Sequence, residues 1–508
     1  MNFNKLHFTK LFIFLMFVSI HSYAQDKDYG IFESSTDVGA VKNAGSVVYD
    51  SENQSYTISG SGTNMWGEKD EFRYLWTTLQ GDFILRAEMH FIGEGVDPHR
   101  KIGWTVRNTL SSGSAMVNAA VHGDGLTSLQ YRKTADAETL EVKSTDTAPD
   151  IIQLSRIGGT YYMSTARKGE SFTTVELTDI SLRNEVFAGI YVCSHNPDVT
   201  EHAVFKNVRI IKPAPADLVP YRNYLGSRME VLDIESGTRK VLFESEHSLQ
   251  APNWTPDGKN LIYNSNGYLY RYYFENGEVE YLNTGFATSN NNDHVLSFDG
   301  EMLGISHHNA ADDNASTIYL MPSTGSDNPR QVSMSGQGAS YLHGISPDKK
   351  TVIFTGNRKG KYDIYAADTE TMEETQLTDT PGLDDGSEFS GDGRYIYFNS
   401  DRTGTMQLWR MNADGSEPTQ LTFDENFNDW FPHVSPDGKW IVFLSFGTDV
   451  RSDDHPFYKH VTLRLMPVEG GTPRIIAYVY GGQGTINVPS WSPDSRKIAF
   501  VSNSGRFY

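Results

Sequence analysis

The most regular pattern along the chain is a short polar turn followed by an apolar or alternating strand. The turn reads Ser-Pro-Asp-Gly or a close variant, and it occurs six times, at 254–258, 296–300, 345–349, 389–393, 434–438 and 491–495. Pro sets φ, Asp caps the turn and Gly accepts a positive φ, so each motif predicts a tight turn between two strands. A strand is predicted after most of these turns, at 260–263, 351–354, 395–399, 440–444 and 497–501. Several units add a second strand, at 317–321, 363–366, 407–411 and 462–466. A repeated four-stranded unit of about 40–45 residues is typical of a β-propeller blade.

The sixth unit has room for only two strands before Tyr508. The segments 224–234 and 240–244, separated by Ser236-Gly237, predict a hairpin that supplies the missing outer strands. A ring closed by both ends of the repeat leaves no exposed sheet edge. The pattern therefore predicts a six-bladed β-propeller over 219–508.

Residues 25–212 carry no such repeat. Their better strands are separated by Gly, Asn, Asp and Ser, and they lie at 55–59, 82–91, 102–107, 116–122, 126–132, 161–167, 186–193 and 204–211. So many short strands without a convincing helix predict an all-β jelly-roll sandwich. The Pro/Ala-rich stretch that follows predicts a linker at 213–218.

The repeat motifs carry a resemblance to a known family. An x-Trp-Ser-Pro-Asp-Gly turn, an (Ile/Leu)-x-Phe strand and a later (Ile/Leu)-x-x-Met strand resemble the TolB-type propeller family over about 217–508. The N-terminal part resembles the concanavalin/laminin-G-like jelly rolls of secreted carbohydrate-active proteins, through 81–83, 103–107 and 205–209. TolB itself has an α/β domain where this chain has strands, so the resemblance implies a fold and not a role in the Tol–Pal machinery.

The composition excludes several classes of binding partner and of cysteine motif. The 508 residues carry a formal charge of −21, which argues against nucleic acid or an anionic membrane surface as a partner. The single cysteine, Cys193, excludes an intramolecular disulfide framework and any Cys-x-x-Cys motif.

The first residues predict a secretory signal. Lys5 and Lys10 precede the apolar run 11–20, and Ser22-Tyr23-Ala24 fits the cleavage rule, so 1–24 is predicted to be a signal peptide cleaved near Ala24. No later segment reaches 18 apolar residues, so we expect no membrane span in the mature chain. These features predict a periplasmic or secreted protein.

Candidate chemistry lies on the propeller face opposite the turn motifs. His294, His343 and His433 occupy near-equivalent positions in three blades. With a carboxylate such as Glu388 nearby, they are the candidate catalytic residues and the candidate ligands of a divalent metal, namely Mn²⁺, Zn²⁺ or Ca²⁺. Secreted propeller lyases such as the oligogalacturonate lyases, which this architecture resembles, use histidine-rich channel mouths. The alternative is that the histidines fill the channel and bond to neighbouring backbone.

Two further sets of side chains are candidate ligand-binding residues. On the same propeller face they are Asn290, Asp293, Glu388, Asn428, Gln483 and Asn487, the last two around the glycine-rich loop 480–487. In the N-terminal sheets, alternation places one polar set on a common face, with Trp66 as a stacking platform, namely Arg107, Asn118, His122, Gln130 and Arg132. That face is predicted either to bind sugar or to be an ordinary solvated surface.

Three functions stay open at this point. The leading hypothesis is an exported protein that binds a glycan or an envelope partner through the channel mouth and the lectin-like sandwich. The second is a polysaccharide lyase or glycoside-cleaving enzyme with a histidine-rich site. The third is an envelope scaffold that grips a partner protein.

Overall fold

The computed structural model describes residues 28–505, so the predicted signal peptide lies outside the described residues. Over that range the protein contains 39 β-strands and one short 3-10 helix, Ala310–Asp312. Among these residues, no helix is long and apolar enough to cross a membrane. The prediction of an all-β protein is confirmed for the described chain.

The N-terminal region consists of two seven-stranded antiparallel sheets and a separate two-stranded hairpin. Its strands are β1 Ser34–Val38, β2 Ser46–Asp50, β3 Ser55–Gly60, β4 Met65–Trp66, β5 Lys69–Asp70, β6 Phe72–Gln80, β7 Phe83–Ile92, β8 Lys101–Arg107, β9 Met116–His122, β10 Thr127–Arg132, β11 Leu140–Lys143, β12 Ile151–Ile157, β13 Thr160–Ala166, β14 Thr173–Leu177, β15 Glu185–Cys193 and β16 Glu201–Ile211. One sheet has the order β1-β6-β15-β8-β9-β10-β11 and the other β14-β13-β12-β7-β16-β3-β2.

One hydrophobic core lies between these two sheets. Trp104 and Val106 of β8 face Leu85 of β7 and Leu154 of β12 within it. The alternation of β8 thus places Trp104 and Val106 on the side of this core.

The rest of the chain forms the propeller. Its strands are β17 Ser227–Asp233, β18 Arg239–Ser245, β19 Gln250–Trp254, β20 Asn260–Ser265, β21 Tyr268–Tyr273, β22 Val279–Leu282, β23 Asn290–Leu296, β24 Met302–Asn309, β25 Ala315–Pro322, β26 Arg330–Gln331, β27 Ser340–Ile345, β28 Thr351–Arg358, β29 Lys361–Asp368, β30 Glu374–Gln376, β31 Asp384–Phe389, β32 Tyr395–Ser400, β33 Gln407–Asn412, β34 Thr419–Gln420, β35 Phe427–Val434, β36 Trp440–Gly447, β37 Lys459–Pro467, β38 Arg474–Gly481 and β39 Lys497–Asn503. β19 to β38 form five four-stranded antiparallel sheets in sequence order.

The sixth blade closes the ring as the sequence predicts. β39, from the C-terminal end, pairs with β17 from the start of the propeller, and β17 pairs with β18. The innermost position is taken by 485–491, whose carbonyls at Thr485 and Ser490 accept hydrogen bonds from β39. The six-bladed propeller and its closure by both ends are confirmed.

The turn motif has the same internal bond in every blade. The hydroxyl of its Ser or Thr donates to the Asp two residues later over 2.6–2.7 Å, in the pairs Thr255–Asp257, Ser297–Asp299, Ser346–Asp348, Ser390–Asp392, Ser435–Asp437 and Ser492–Asp494. Hydrogen bonds from Lys349 and Ser297 lower the pKa of Asp299 to about 2. The repeated residues are therefore the structural part of each blade.

A buried ion cluster joins the two bodies. Glu230 of β17 pairs with Arg209 of β16 at 2.6 Å and with Arg239 of β18 at 2.9 Å, and all three side chains are buried. Arg239 also donates to the carbonyl of Tyr478 over 2.7 Å. The connecting segment packs as well, because the backbone N–H of Ala214 donates to the Tyr480 hydroxyl.

Candidate functional site at the propeller channel mouth

A cavity of about 990 Å³ opens on the propeller face opposite the turn motifs. Its wall comes from the innermost strands and the loops that follow the second strands, as blade geometry requires. Five predicted site residues line it, namely Asn290, Asp293, His343, Gln483 and Asn487. This volume suits a ligand of small-molecule or oligosaccharide size.

Asp385 contacts two histidines and one threonine at the base of the cavity. One carboxylate oxygen lies 3.0 Å from His343 Nε2 and accepts from the Thr355 hydroxyl over 2.5 Å. The other oxygen lies 3.8 Å from His455 Nε2. Burial alone raises the pKa of Asp385, but its hydrogen bond to His343 and the charge of His343 bring that pKa down to about 2. Asp385 is therefore a carboxylate that orients two imidazoles.

The pKa values of the two imidazoles are shifted in opposite directions. Burial by itself lowers the pKa of His343, but the hydrogen bond to Asp385 outweighs it and the net shift is upward. Burial lowers the pKa of His455, which packs edge-on against Trp430 with ring centroids 4.4 Å apart. The surroundings thus favour protonation of His343 over protonation of His455.

Asp293 is the second carboxyl group of the cavity. Its side chain is buried, and burial raises its pKa to about 7, against an opposing contribution from His343. A carboxyl group in this state exchanges its proton near neutral pH, which is the property of a general acid or base.

The raised pKa of Asp293 predicts a pH-dependent stability. The folded protein binds this proton more tightly than the unfolded chain, so the contribution is present in acid and is lost as pH rises through about 7. The free energy of unfolding of the parent should therefore fall between about pH 5 and about pH 8. Asp293→Asn should reduce that fall by about 1–3 kcal/mol, measured from urea midpoints at the two pH values. Asp313→Asn, on an exposed turn, is the control. An unchanged pH slope in Asp293→Asn would contradict the assignment.

Unpartnered polar atoms cluster on the cavity wall. Asn290 Oδ1, Asn292 Nδ2 and Gln483 Oε1 are buried and make no hydrogen bond within the protein, and neither does His455 Nδ1. All four residues line the cavity. Because buried polar groups are normally paired, these atoms mark residues of the wall whose hydrogen bonding within the protein is incomplete.

The glycine-rich loop 480–487 shapes this wall. Gly482 has φ of 136°, and a Cβ there would lie 1.9 Å from the Pro456 carbonyl oxygen, so only glycine fits. The Gly484 backbone N–H donates to Asn487 Oδ1 over 2.7 Å, which fixes the loop. The loop thus places Gln483 and Asn487 on the wall.

Aromatic side chains complete the outer part of the cavity. Tyr221 and Tyr224 are 44% and 41% exposed and both pack edge-on against Phe457. The Tyr221 hydroxyl donates to Asp454 over 2.7 Å. These rings offer flat apolar surface beside polar groups.

The three predicted metal-binding histidines do not gather around one point. His294 Nε2 bonds to the carbonyl of Ile262 at 3.2 Å, and His433 bonds to Glu388 at 2.5 Å and to the carbonyl of Ile486. Of the three, only His343 lines the cavity, and they form no metal-binding group within the described chain. His294 and His433 therefore have contacts of the kind expected from the alternative to a metal site, in which the imidazoles fill the channel and bond to backbone.

Two other predicted ligand-binding residues also have structural contacts. Asn428 accepts from the Met406 backbone N–H and donates to the Val450 carbonyl, both at 3.0 Å. Glu388, the partner of His433, lines a groove on the turn-motif face and not the cavity. Neither side chain is directed to the channel mouth.

The five polar side chains predicted to share one face of the N-terminal sheet, as a sugar-binding or a solvated surface, are all buried in the structure. Arg107 and Arg132 are fully buried, and both pair with Asp70 of β5, at 2.7 and 2.8 Å. The β4–β5 hairpin covers this face, which the strand pattern could not show because the two-residue strands carry no periodic signal. Asn118 and Gln130 are buried as well and bond to each other at 3.1 Å.

Several cavity residues were absent from the predicted ligand set. Tyr341 lies two residues before His343 on β27, so period-2 alternation was the signal that could have found it. Tyr224 is the first residue of the strand predicted at 224–234 and Tyr221 precedes it, and in the structure both residues lie before β17. Only the packing of these two residues against Phe457 brings them to the cavity.

Comparison with known proteins agrees with this architecture. A family model described as the TolB beta propeller domain matches residues 312–453. An uncharacterized protein of Agrobacterium fabrum is 44% identical over 276 residues, which cover 54% of this chain and 92% of that protein. The chain belongs to the TolB-like β-propeller family.

Two further relatives of this TolB-like protein differ in how similar they are to it. A solved structure described as a putative TolB from Agrobacterium tumefaciens is 42% identical, has a TM-score of 0.52, and covers 56% of this chain and all of its own. The Tol-Pal system protein TolB of Wolinella succinogenes is 28% identical over 170 residues, or 33% of this chain and 38% of that protein. The match to the family model lies within the propeller.

Proposed function

We propose that this TolB-like protein is an exported envelope protein that binds a glycan in the propeller cavity. The observation that carries the proposal is the wall of unpartnered carboxamide atoms beside exposed tyrosines. Sugar hydroxyls both donate and accept hydrogen bonds, so they match Asn and Gln side chains, and sugar rings stack on aromatic faces.

The proposal has two further parts, namely a location in the cell envelope and a lectin-like fold of the N-terminal sheets. Export is supported by the apolar run 11–20 and by relatives that are named as Tol-Pal system proteins. The two packed antiparallel sheets are compatible with a jelly-roll sandwich spanning 25–212, with a linker at 213–218 and the propeller at 219–508.

Glycan binding can be tested by calorimetry with a panel of neutral and acidic oligosaccharides. For a bound sugar, Gln483→Leu and Tyr224→Ala should each weaken affinity by about tenfold or more, because a desolvated hydrogen bond or a stacking surface is lost. Tyr281→Ala, an exposed tyrosine outside the cavity, is the matched control. If no sugar binds and the same cavity instead binds an envelope protein, the ligand is a protein and not a glycan.

A catalytic role is a second candidate because of one arrangement. Asp293 and His343 share the cavity, and Asp385 orients His343 at 3.0 Å. These two side chains can transfer protons in the cleavage of a polysaccharide by hydrolysis or elimination. If the protein cleaves a bound oligosaccharide, new reducing ends should appear. His343→Gln should still bind the oligosaccharide but form no new ends. Binding without new ends would exclude catalysis on that sugar.

A further inference from the structure

A second group of potential ligands lies far along the chain from the propeller histidines. Within residues 28–505, one group of at least three His, Cys, Asp or Glu residues has its ligand atoms within 4.8 Å of one another, and it consists of His99, His122 and Asp124. His122 ends β9, Asp124 is in the turn to β10, and His99 is in the loop before β8. His122 belongs to the polar set predicted as a sugar-binding or a solvated face of the N-terminal sheet.

The backbone holds the two loops against each other. Gly123 N–H donates to the Arg100 carbonyl over 2.9 Å, and Asp124 N–H donates to the Pro98 carbonyl over 2.8 Å. Asp97 caps its own loop by accepting from the His99 backbone N–H over 2.7 Å. The backbone positions of the three residues are therefore set by the fold and not by free loop ends.

The distances fit a small divalent ion. The Nδ1 atoms of His99 and His122 lie 3.5 Å apart, and His99 Nδ1 lies 4.0 Å from Asp124 Oδ2. Tetrahedral zinc with bonds of about 2.0–2.1 Å separates its ligand atoms by about 3.3–3.4 Å. The two nitrogens are already near that spacing, and the half-exposed His99 and Asp124 side chains need only a small movement to reach it.

Other charged groups lie near the three side chains. Asp97 lies 3.2 Å from His195 Nδ1, and the rings of His195 and His99 are 5.5 Å apart. The ammonium group of Lys101 donates to Asn64 Oδ1 over 2.8 Å.

A buried relay can orient His122. His122 Nε2 lies 3.2 Å from the Gln130 carboxamide, which bonds to Asn118, and Asn118 Oδ1 has no partner. If both carboxamides are rotated end for end, Gln130 Oε1 accepts from His122 Nε2–H and Asn118 Oδ1 accepts from Gln130. The proton then resides on Nε2 and His122 Nδ1 is free to bind a metal, the outer-shell arrangement common in zinc sites.

We propose that His99, His122 and Asp124 form a zinc-type divalent metal site at the edge of the N-terminal sheets, with Gln130 as the residue that orients His122. Three protein ligands leave a fourth position for water or for an anionic group of a ligand. The site is separate from the propeller cavity, so it stands whether or not the cavity binds a glycan.

The test uses the full mature chain, purified without a histidine tag, stripped with chelator and titrated with Zn²⁺ alone. We expect one equivalent bound, with affinity lowered at least tenfold in His99→Ala and Asp124→Asn, whose side chains are 51% and 39% exposed and can be changed without disturbing the core. Co²⁺ should give the intense visible absorption of a tetrahedral site in the parent and not in these variants. His202→Ala, an exposed histidine on the same sheets, is the control and should bind as the parent does.

Two results would overturn the proposal. One is a parent that binds no Zn²⁺, or binds it equally well in His99→Ala and Asp124→Asn. The other is binding that survives these changes and is lost in the His294/His343/His433→Ala triple variant, which would move the metal to the propeller. Gln130→Leu tests the relay, because it should weaken Zn²⁺ binding about tenfold while leaving the ligands in place.

Discussion

Glu230→Ala should destabilise the protein by about 3–5 kcal/mol, because it leaves two buried arginines without a counter-ion. Glu230 is fully buried and bonds to Arg209 from the N-terminal sheets, to Arg239 from the propeller and to the Ser502 hydroxyl. The charges of the two arginines outweigh burial and hold the pKa of Glu230 well below its usual range, so its contribution is lost only in strong acid. Urea unfolding followed by tryptophan fluorescence measures the loss.

The control for this prediction is on the neighbouring strand. Glu244 pairs with Arg228 at 2.7 Å but is 62% exposed, so Glu244→Ala should barely move the urea midpoint. A triple variant that combines Arg209→Met, Glu230→Leu and Arg239→Met should recover much of the stability that Glu230→Ala loses, since apolar side chains of similar volume need no counter-ion. An unfolding midpoint of Glu230→Ala equal to that of the parent would contradict the role of the cluster.

Asp70→Ala should destabilise the N-terminal sheets by a similar amount, about 3–5 kcal/mol, for the same reason. Asp70 is the shared partner of Arg107 and Arg132, and the side chains of all three are 0% exposed. Asp136→Asn is the matched control, because Asp136 pairs at the surface with Lys69 of the same hairpin, with 62% of its side chain exposed.

This second prediction separates a structural role from a binding role. If Arg107 and Arg132 formed a sugar surface, Asp70→Ala would keep its unfolding midpoint and change only oligosaccharide binding. If they hold the β4–β5 hairpin on the sheet, the midpoint falls and near-ultraviolet circular dichroism of Trp104 and the surrounding aromatics weakens. The complete burial of the three side chains leads us to expect the second result.

The local sequence pattern was sufficient for the elements that repeat. A Ser-Pro-Asp-Gly turn makes its own hydrogen bond, as Ser435 and Asp437 do at 2.6 Å, and the strand after it needs only alternation or apolar content. The pairing of β39 with β17 followed from counting strands, because a ring with two strands missing at one end must take them from the other. These features depend on residues close together in sequence or on simple closure.

The tertiary structure decided what each polar side chain does. His294, His343 and His433 occupy similar places in three blades, yet their partners differ. His343 meets Asp385 in the cavity, His294 meets the Ile262 carbonyl, and His433 meets Glu388 and the Ile486 carbonyl. Arg107 and Arg132 alternate like surface residues, yet a two-residue strand covers them. Periodicity reports which face of a strand a residue occupies, whereas burial depends on what packs there, and that partner is distant in sequence.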